Sequence, residues 1–431
     1  MNGPIGRRDF LLGAEALVVA GLLNRAYAGT RPEDVAADES FWGEIREAYG
    51  RDPKLINLNN GGVAPAPASV LEAEIEAIRY SNQLPAYRMW HDLEPKIEDV
   101  RKKLAGMWKA DPECIAITRN ASESLQIAQF GIDLQPGDEV LLTSQDYPRM
   151  ITTWQQRVRR EKIVLRQLDF AVPVKNPADL VRLYEQALTP RTRVIHVSQV
   201  VFMTGQIFPV KEICALARSH GIASIVDGAH AFAHVPFTFA DLDCDFYGAS
   251  LHKWLSAPIG TGMLYVRKDR IEKHWALMAA PKNMDSNIRK FEEIGTHPAA
   301  MHNATLQALE FHEQMGADRK FARLRYLKNR WAERLSKVPG AKMLVGLEPE
   351  LSGAFGTIHF DTMDASKLGE ALLEKDNIFV TPISGPGING IRVSSNVYTP
   401  VEHIDRFCEA VEAICRGRKA LGEGGASRDH A

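Results

Sequence analysis

Ile222-Ala-Ser-Ile-Val-Asp227-Gly-Ala-His230 is a short β-branched run that closes on a carboxylate. Downstream, Gly248-Ala-Ser-Leu-His-Lys253-Trp254 places a lysine just after a second apolar run. Runs of this length bounded by turn residues read as buried strands, so Asp227 and Lys253 stand at the carboxyl ends of two strands. The pattern recurs on both sides. β-Branched runs at Ile115–Ile117, Val140–Thr143, Ile163–Gln167, Val194–Val197 and Gly262–Val266 alternate with helical periodicity at Ser124–Gly131, Pro177–Leu188 and Val210–Gly221. Strand and helix in alternation predict an α/β fold on a doubly wound, mostly parallel sheet.

The flanks have a different character. Asn57-Leu-Asn-Asn-Gly-Gly62, with Pro65 and Pro67 behind it, is turn chemistry. Glu72–Tyr80 and Glu94–Trp108 carry helical periodicity. After about residue 300 a long charged helix is expected over Met301–Lys337, then strands near Gly356–Phe360 and Gly390–Ser394 and an amphipathic helix over Val401–Arg416. That is a smaller α+β lobe. The expected division is an amino-terminal arm over 29–60, a large domain over 61–298, a small domain over 299–418 and a disordered tail over 419–431.

Bulk properties narrow the function classes. At 431 residues, 45% hydrophobic and 25% charged, the chain buries a sizeable core and is ordinary for a globular protein. A formal net charge of −2 and the lack of a basic stretch interleaved with aromatics argue against nucleic acid as a partner. Five scattered cysteines contain no CxxC pair, which predicts neither a disulfide framework nor a zinc site. Arg7-Arg8-Asp9-Phe10-Leu11-Leu12 precedes a short apolar run from Ala14 to Leu23, and Ala26-Tyr27-Ala28 has the small-x-small form of a cleavage site. Residues 1–28 resemble a twin-arginine export signal, which implies the twin-arginine translocation machinery as partner and a periplasmic location. The apolar run is too short for about 30 Å of hydrocarbon and Glu15 interrupts it, so no stable membrane insertion is expected.

In open α/β sheets, ligands sit outside the carboxyl ends of the strands. Thr118-Arg-Asn-Ala121-Ser122-Glu123 follows one strand and opens a helix, whose free N–H groups and dipole suit a phosphate. The same residues also read as a capping box. Gln199, Asp227, His230, Ser250, His252 and Lys253 supply an amide, a carboxylate, hydrogen-bonding groups and an amine at the other strand ends. An amine that condenses with an aldehyde, and a carboxylate that keeps a pyridinium protonated, are what a pyridoxal 5′-phosphate site needs.

The order of these groups closely resembles the class V aminotransferases of pyridoxal phosphate fold type I, nearest to their isopenicillin N epimerase-like branch. The likeness covers nearly the whole chain after residue 28, and Tyr247 to Trp254 leading to Gly260-Thr-Gly262 is its specific core. It implies that Lys253 is the cofactor-bonding lysine and proton shuttle and that Asp227 faces the pyridine nitrogen. Ala121, Ser122, Ser250 and His252 would surround the phosphate, Gln199 would meet the ring oxygen with His230 in support, and Tyr147 would stack on the ring. Gly295-Thr296 matches a segment that reaches a phosphate across a dimer interface, so Thr296 and a homodimer are implied. Arg392 matches an arginine that clamps a substrate α-carboxylate, a match that guanidinium geometry favours, and Asn59-Asn60 match a loop near a small-molecule amino-acid or peptide substrate.

Within that family, desulfurases need a cysteine on the loop before the arginine strand. Here that loop, Thr381-Pro-Ile-Ser-Gly-Pro-Gly-Ile-Asn-Gly390, has none. Its Gly385-x-Gly387-x-x-Gly390 precedes a strand instead of opening a helix, so it is not a dinucleotide fingerprint. The expected activity is therefore chemistry at the α-carbon, epimerase-like, in an exported enzyme. The alternatives are a periplasmic transaminase or decarboxylase tailoring a peptide natural product such as a siderophore precursor, an idle cofactor-binding scaffold, and a metal hydrolase built on Asp227, His230 and His234.

Overall fold

The computed structural model describes Tyr27 and residues 29–420, except Thr362 and Pro386. The Arg7-Arg8 signal lies outside the described residues, as does all but the start of the 419–431 tail. Among the described residues no helix is long and apolar enough to cross a membrane.

Strand β1 (Ile56–Asn57) belongs to the arm. Strands β2 (Ile115–Thr118), β3 (Glu139–Thr143), β4 (Val164–Leu168), β5 (Thr192–Ser198), β6 (Ala223–Asp227), β7 (Phe246–Ser250) and β8 (Gly262–Val266) form one sheet in the order β2-β8-β7-β6-β5-β3-β4. β7, β6, β5, β3 and β4 pair in parallel, while β8 runs against both β7 and β2. The sheet is thus the doubly wound, mostly parallel one that the alternation implies. Winding reverses between β3 and β5, the kind of crevice where ligands bind. β6 is buried at every residue because helices cover both faces, which is why its sequence is a continuous apolar run instead of an alternating one.

The expected single helix over Met301–Lys337 is two helices, Ala299–Met315 and Ala317–Leu335. Gly316 separates them at φ +86°, a conformation that continues no right-handed helix and that glycine adopts without a Cβ penalty. Helical periodicity on both sides hides such a break, since a lone glycine is also tolerated inside helices.

The second helix starts a separate lobe. β9 (Ala341–Met343), β10 (Phe355–Phe360), β12 (Thr381–Gly385) and β13 (Ile388–Ser394) make an antiparallel sheet in the order β12-β13-β10-β9. Trp331, Leu335, Leu368, Phe407 and Val411 pack it against three helices. β11 (Ile378–Phe379) pairs in parallel with β1, so the arm is stitched to this lobe. A shared cluster joins the arm and both lobes, with Trp42, Ala231, Trp254 and Phe355 buried together. Trp42 and Trp254 are fully buried, and a large side chain so placed contributes about 1.5–3 kcal/mol.

Candidate active site

Asp227 is the last residue of β6, and Lys253 follows the end of β7, its neighbour in the sheet. Both line a cavity of about 540 Å³ between the strand ends and β12 and β13 of the small lobe. That volume lies within the roughly 300–1,000 Å³ of small-molecule sites. Burial lowers Lys253 from 10.5 to about 8, against the pull of Asp227 and with the repulsion of Arg392. Its Nζ lies 3.2 Å from Nε2 of His230, whose own pKa burial and the nearby cations push well below the ordinary value. A neutral imidazole and a partly neutral amine thus face each other.

Burial raises the Asp227 carboxyl, and the Ala229 N–H donates to its Oδ1 at 2.9 Å. One backbone donor offsets little of the cost of a buried carboxylate. A cationic ring nitrogen in the cavity is the partner that this group lacks.

At the other end of the cavity, the helix Ala121–Gly131 points its amino terminus inward. Asn120 caps it by accepting from the Glu123 N–H at 2.9 Å. The Glu123 carboxylate accepts from the Arg119 N–H instead of closing the box on Asn120. The Ala121 N–H donates to the Ser250 Oγ at 2.9 Å, and Ser122 and His252 line the wall beside them. A Cβ on Gly262 would stand 2.5 Å from the Asn120 nitrogen, so β8 meets this helix start at backbone contact. Hydroxyls, an imidazole and a helix amino terminus converge where a phosphate fits. The donor set from Asp227 through Lys253 to Ser122 therefore fits pyridoxal phosphate end to end.

Tyr147 lines the cavity at the start of helix Pro148–Glu161, its ring edge-on to Phe202 at 5.5 Å. Arg392, on β13, is 6% exposed, and burial lowers it to about 10. Nη1 donates to the Phe202 carbonyl at 2.9 Å and Nη2 to the Asn59 Oδ1 at 3.1 Å. Among the described residues no carboxylate pairs with it. A guanidinium buried without a counter-ion at a cavity wall is a receptor for an anion.

Not every expected site residue lines the cavity of its own chain. Gln199 is not among the cavity residues; its Oε1 accepts from the Tyr247 hydroxyl at 2.9 Å. His230 is the group found beside Lys253. Asn60 is fully buried, its Nδ2 donating to the Asn57 and Ser394 carbonyls and its Oδ1 accepting from the Tyr398 hydroxyl, so it braces the loop. Asn59 meets Arg392 instead of the cavity. Thr296 is exposed and outside the cavity of its own chain. His234 gives Nδ1 to the His230 carbonyl and accepts the Ala354 N–H on Nε2, so both ring nitrogens are spent. Among the described residues no group of three His, Cys, Asp or Glu could hold a metal ion. Phe202, Thr381 and Ile383 also line the cavity. Nothing local in the sequence marks them, since they reach the site through the meeting of the lobes.

The family model "Aminotransferase class-V" matches residues 56–407. The chain belongs to the class V aminotransferase family. Its cofactor is pyridoxal 5′-phosphate. The chain is 30% identical to an isopenicillin N epimerase of Streptomyces clavuligerus over 390 residues, 86% of this chain and 98% of that one. It is 26% identical to a probable cysteine desulfurase of Mycolicibacterium paratuberculosis, over 90% of this chain and 59% of that one. The C-DES mutant with glycine linked to its pyridoxal phosphate superposes with a TM-score of 0.75 at 24% identity, covering 84% of this chain and 97% of that one. That likeness carries the fold.

Proposed function

We propose that this class V enzyme moves a proton at the α-carbon of an amino acid with a free α-carboxylate, in the manner of an epimerase, and that it works as an exported homodimer. Buried Arg392, without a carboxylate partner beside the Lys253 amine, is the observation that carries this. When bound, the cofactor supplies an aldehyde for an amine and a ring that takes up charge left at the α-carbon. The protein does the rest. Lys253, near pKa 8, is poised to take or return a proton close to neutral pH. His230, held neutral, stands with Nε2 within hydrogen-bond distance of the Lys253 amine and orients it. Arg392 fixes the carboxylate, with Asn59 and the Phe202 carbonyl holding the fork in one plane.

Sulfur abstraction through a thiol finds no support at this site. Among the described residues no cysteine lines the cavity, and Cys114, Cys214, Cys244 and Cys408 are buried elsewhere. Export rests on Arg7-Arg8 and the apolar run behind it, and the homodimer on the resemblance at Gly295-Thr296.

The test is incubation of the cofactor-loaded enzyme with single L-amino acids in deuterium oxide. Exchange of the α-proton together with the D-isomer, read by NMR and chiral chromatography, is expected. Accumulation of a keto acid without the D-isomer would move the assignment to transamination, and release of sulfide would overturn it.

A further inference from the structure

A cavity of about 300 Å³ opens where the helices Ile97–Met107 and Ala299–Met315 end and Ala317–Leu335 begins, against the loop 233–237 that leaves β6. Among the described residues none lines both this cavity and that of Lys253. His230 faces the one and His234 the other, joined by the 2.7 Å hydrogen bond from His234 Nδ1 to the His230 carbonyl.

Met107, Trp108, Val235, Pro236 and Phe237 make the walls apolar. Two of the polar side chains there are already engaged. His234 has both ring nitrogens spent, and Glu313, 56% exposed, pairs with the Lys103 amine at 2.5 Å. His312 is different. It is 3% exposed, and its Nδ1 is buried without a hydrogen-bond partner. Burial, and then Lys320, hold its pKa well below the ordinary value, so the ring is a neutral donor and acceptor at once. It lies nearly parallel to Trp108, with 9° between the planes at 5.8 Å, and Trp108 stacks in turn on Phe232 at 4.1 Å. An imidazole with unused hydrogen-bonding capacity thus ends a row of rings at an apolar space. Leaving such a group unpaired is unfavourable, and a hydroxyl placed against it removes that cost.

We propose that this cavity is a second ligand site, taking a small uncharged aromatic molecule that carries a hydroxyl, such as a phenol. The hydroxyl meets His312, and the ring lies among Trp108, Val235 and Phe237. Size agrees, since an apolar cavity of roughly 150 Å³ holds benzene and this one is about twice that. Charge agrees as well. Among the described residues no unpaired charged side chain lines the space, so nothing there selects an ion. The site stands independently of the reaction assigned to Lys253.

Fluorine NMR titration of the cofactor-loaded enzyme tests this with 4-fluorophenol and fluorobenzene, which share a ring and differ in the hydroxyl. The phenol is expected to bind about tenfold tighter, as one hydrogen bond to a buried partner gives. His312→Leu should still bind fluorobenzene and bring the ratio of affinities close to one. Ala317→Phe adds a ring at an exposed position of the cavity wall, so it should weaken both probes about tenfold with the thermal midpoint unchanged. Equal affinities in the parent enzyme, or a ratio kept in His312→Leu, would overturn the site. Binding untouched by Ala317→Phe would place the probes elsewhere, in the cavity of Lys253 or on the surface, and would overturn it too.

Discussion

The Nε2 of His230 stands 3.2 Å from the Nζ of Lys253, and both groups are held below their ordinary pKa values, chiefly by burial. A neutral imidazole faces a partly neutral amine at the sheet's carboxyl edge. Burial, with the repulsion of Arg392, sets the pH at which the amine becomes a nucleophile.

The apoenzyme should therefore take up cofactor at a rate that climbs with pH through a midpoint near 8, against 10.5 for an ordinary lysine. The sign follows from burial, which disfavours the charged amine. Between about 8 and 10.5 the folded chain binds fewer protons than the unfolded one, so the stability cost of this lysine is full below 8 and fades toward 10.5. Following the visible absorbance after cofactor addition from pH 6.5 to 10 measures the midpoint. A rate still climbing steeply at pH 10 contradicts the account.

Arg392→Lys should weaken amino-acid binding about 10- to 100-fold, with a smaller effect on kcat, because an ammonium cannot replace a planar fork. Asn59→Ala should cost less, about threefold to tenfold, since it removes only the 3.1 Å contact that orients the fork. The double variant should fall short of the product of the two, as expected for residues in contact. KM measured across the four proteins decides it.

Gly262→Ala should destabilise the protein by about 1–3 kcal/mol and weaken cofactor binding, because the new methyl meets the Asn120 backbone at 2.5 Å. Gly106→Ala is the contrast. That glycine lies in the helix Ile97–Met107 with open space around it, so alanine should stabilise by about 0.5–1 kcal/mol. Thermal unfolding with and without cofactor separates the two.

Replacing Arg7-Arg8 by Lys-Lys should hold the full-length protein in the cytoplasm. Fractionation of producing cells measures this, and an unchanged periplasmic share would defeat the export proposal.

Much of the large domain was legible because buried parallel strands are short apolar runs, and their polar carboxyl ends name themselves. Asp227, Lys253, Ser250 and Ser122 were found this way, and the structure brings them to one cavity. What the sequence hides is side-chain direction after a strand ends. Gln199 leaves β5 and turns to Tyr247, whereas His230 turns inward to Lys253, and nothing in the local pattern distinguishes the two. Contacts between lobes are equally silent, as Phe202 and Thr381 show. Gly316 carries a related lesson, since only its φ of +86° tells a helix break from a tolerated glycine.

Borohydride treatment of the cofactor-loaded enzyme, followed by peptide mapping, tests the central claim most directly. Lys320 and Lys328 are also buried and lowered to about 7, so a reactive amine alone does not choose position 253. Placement at the strand ends does. The account predicts the pyridoxyl mass on Lys253, with Lys253→Ala losing it; a label on Lys320, Lys328 or any other lysine would contradict it.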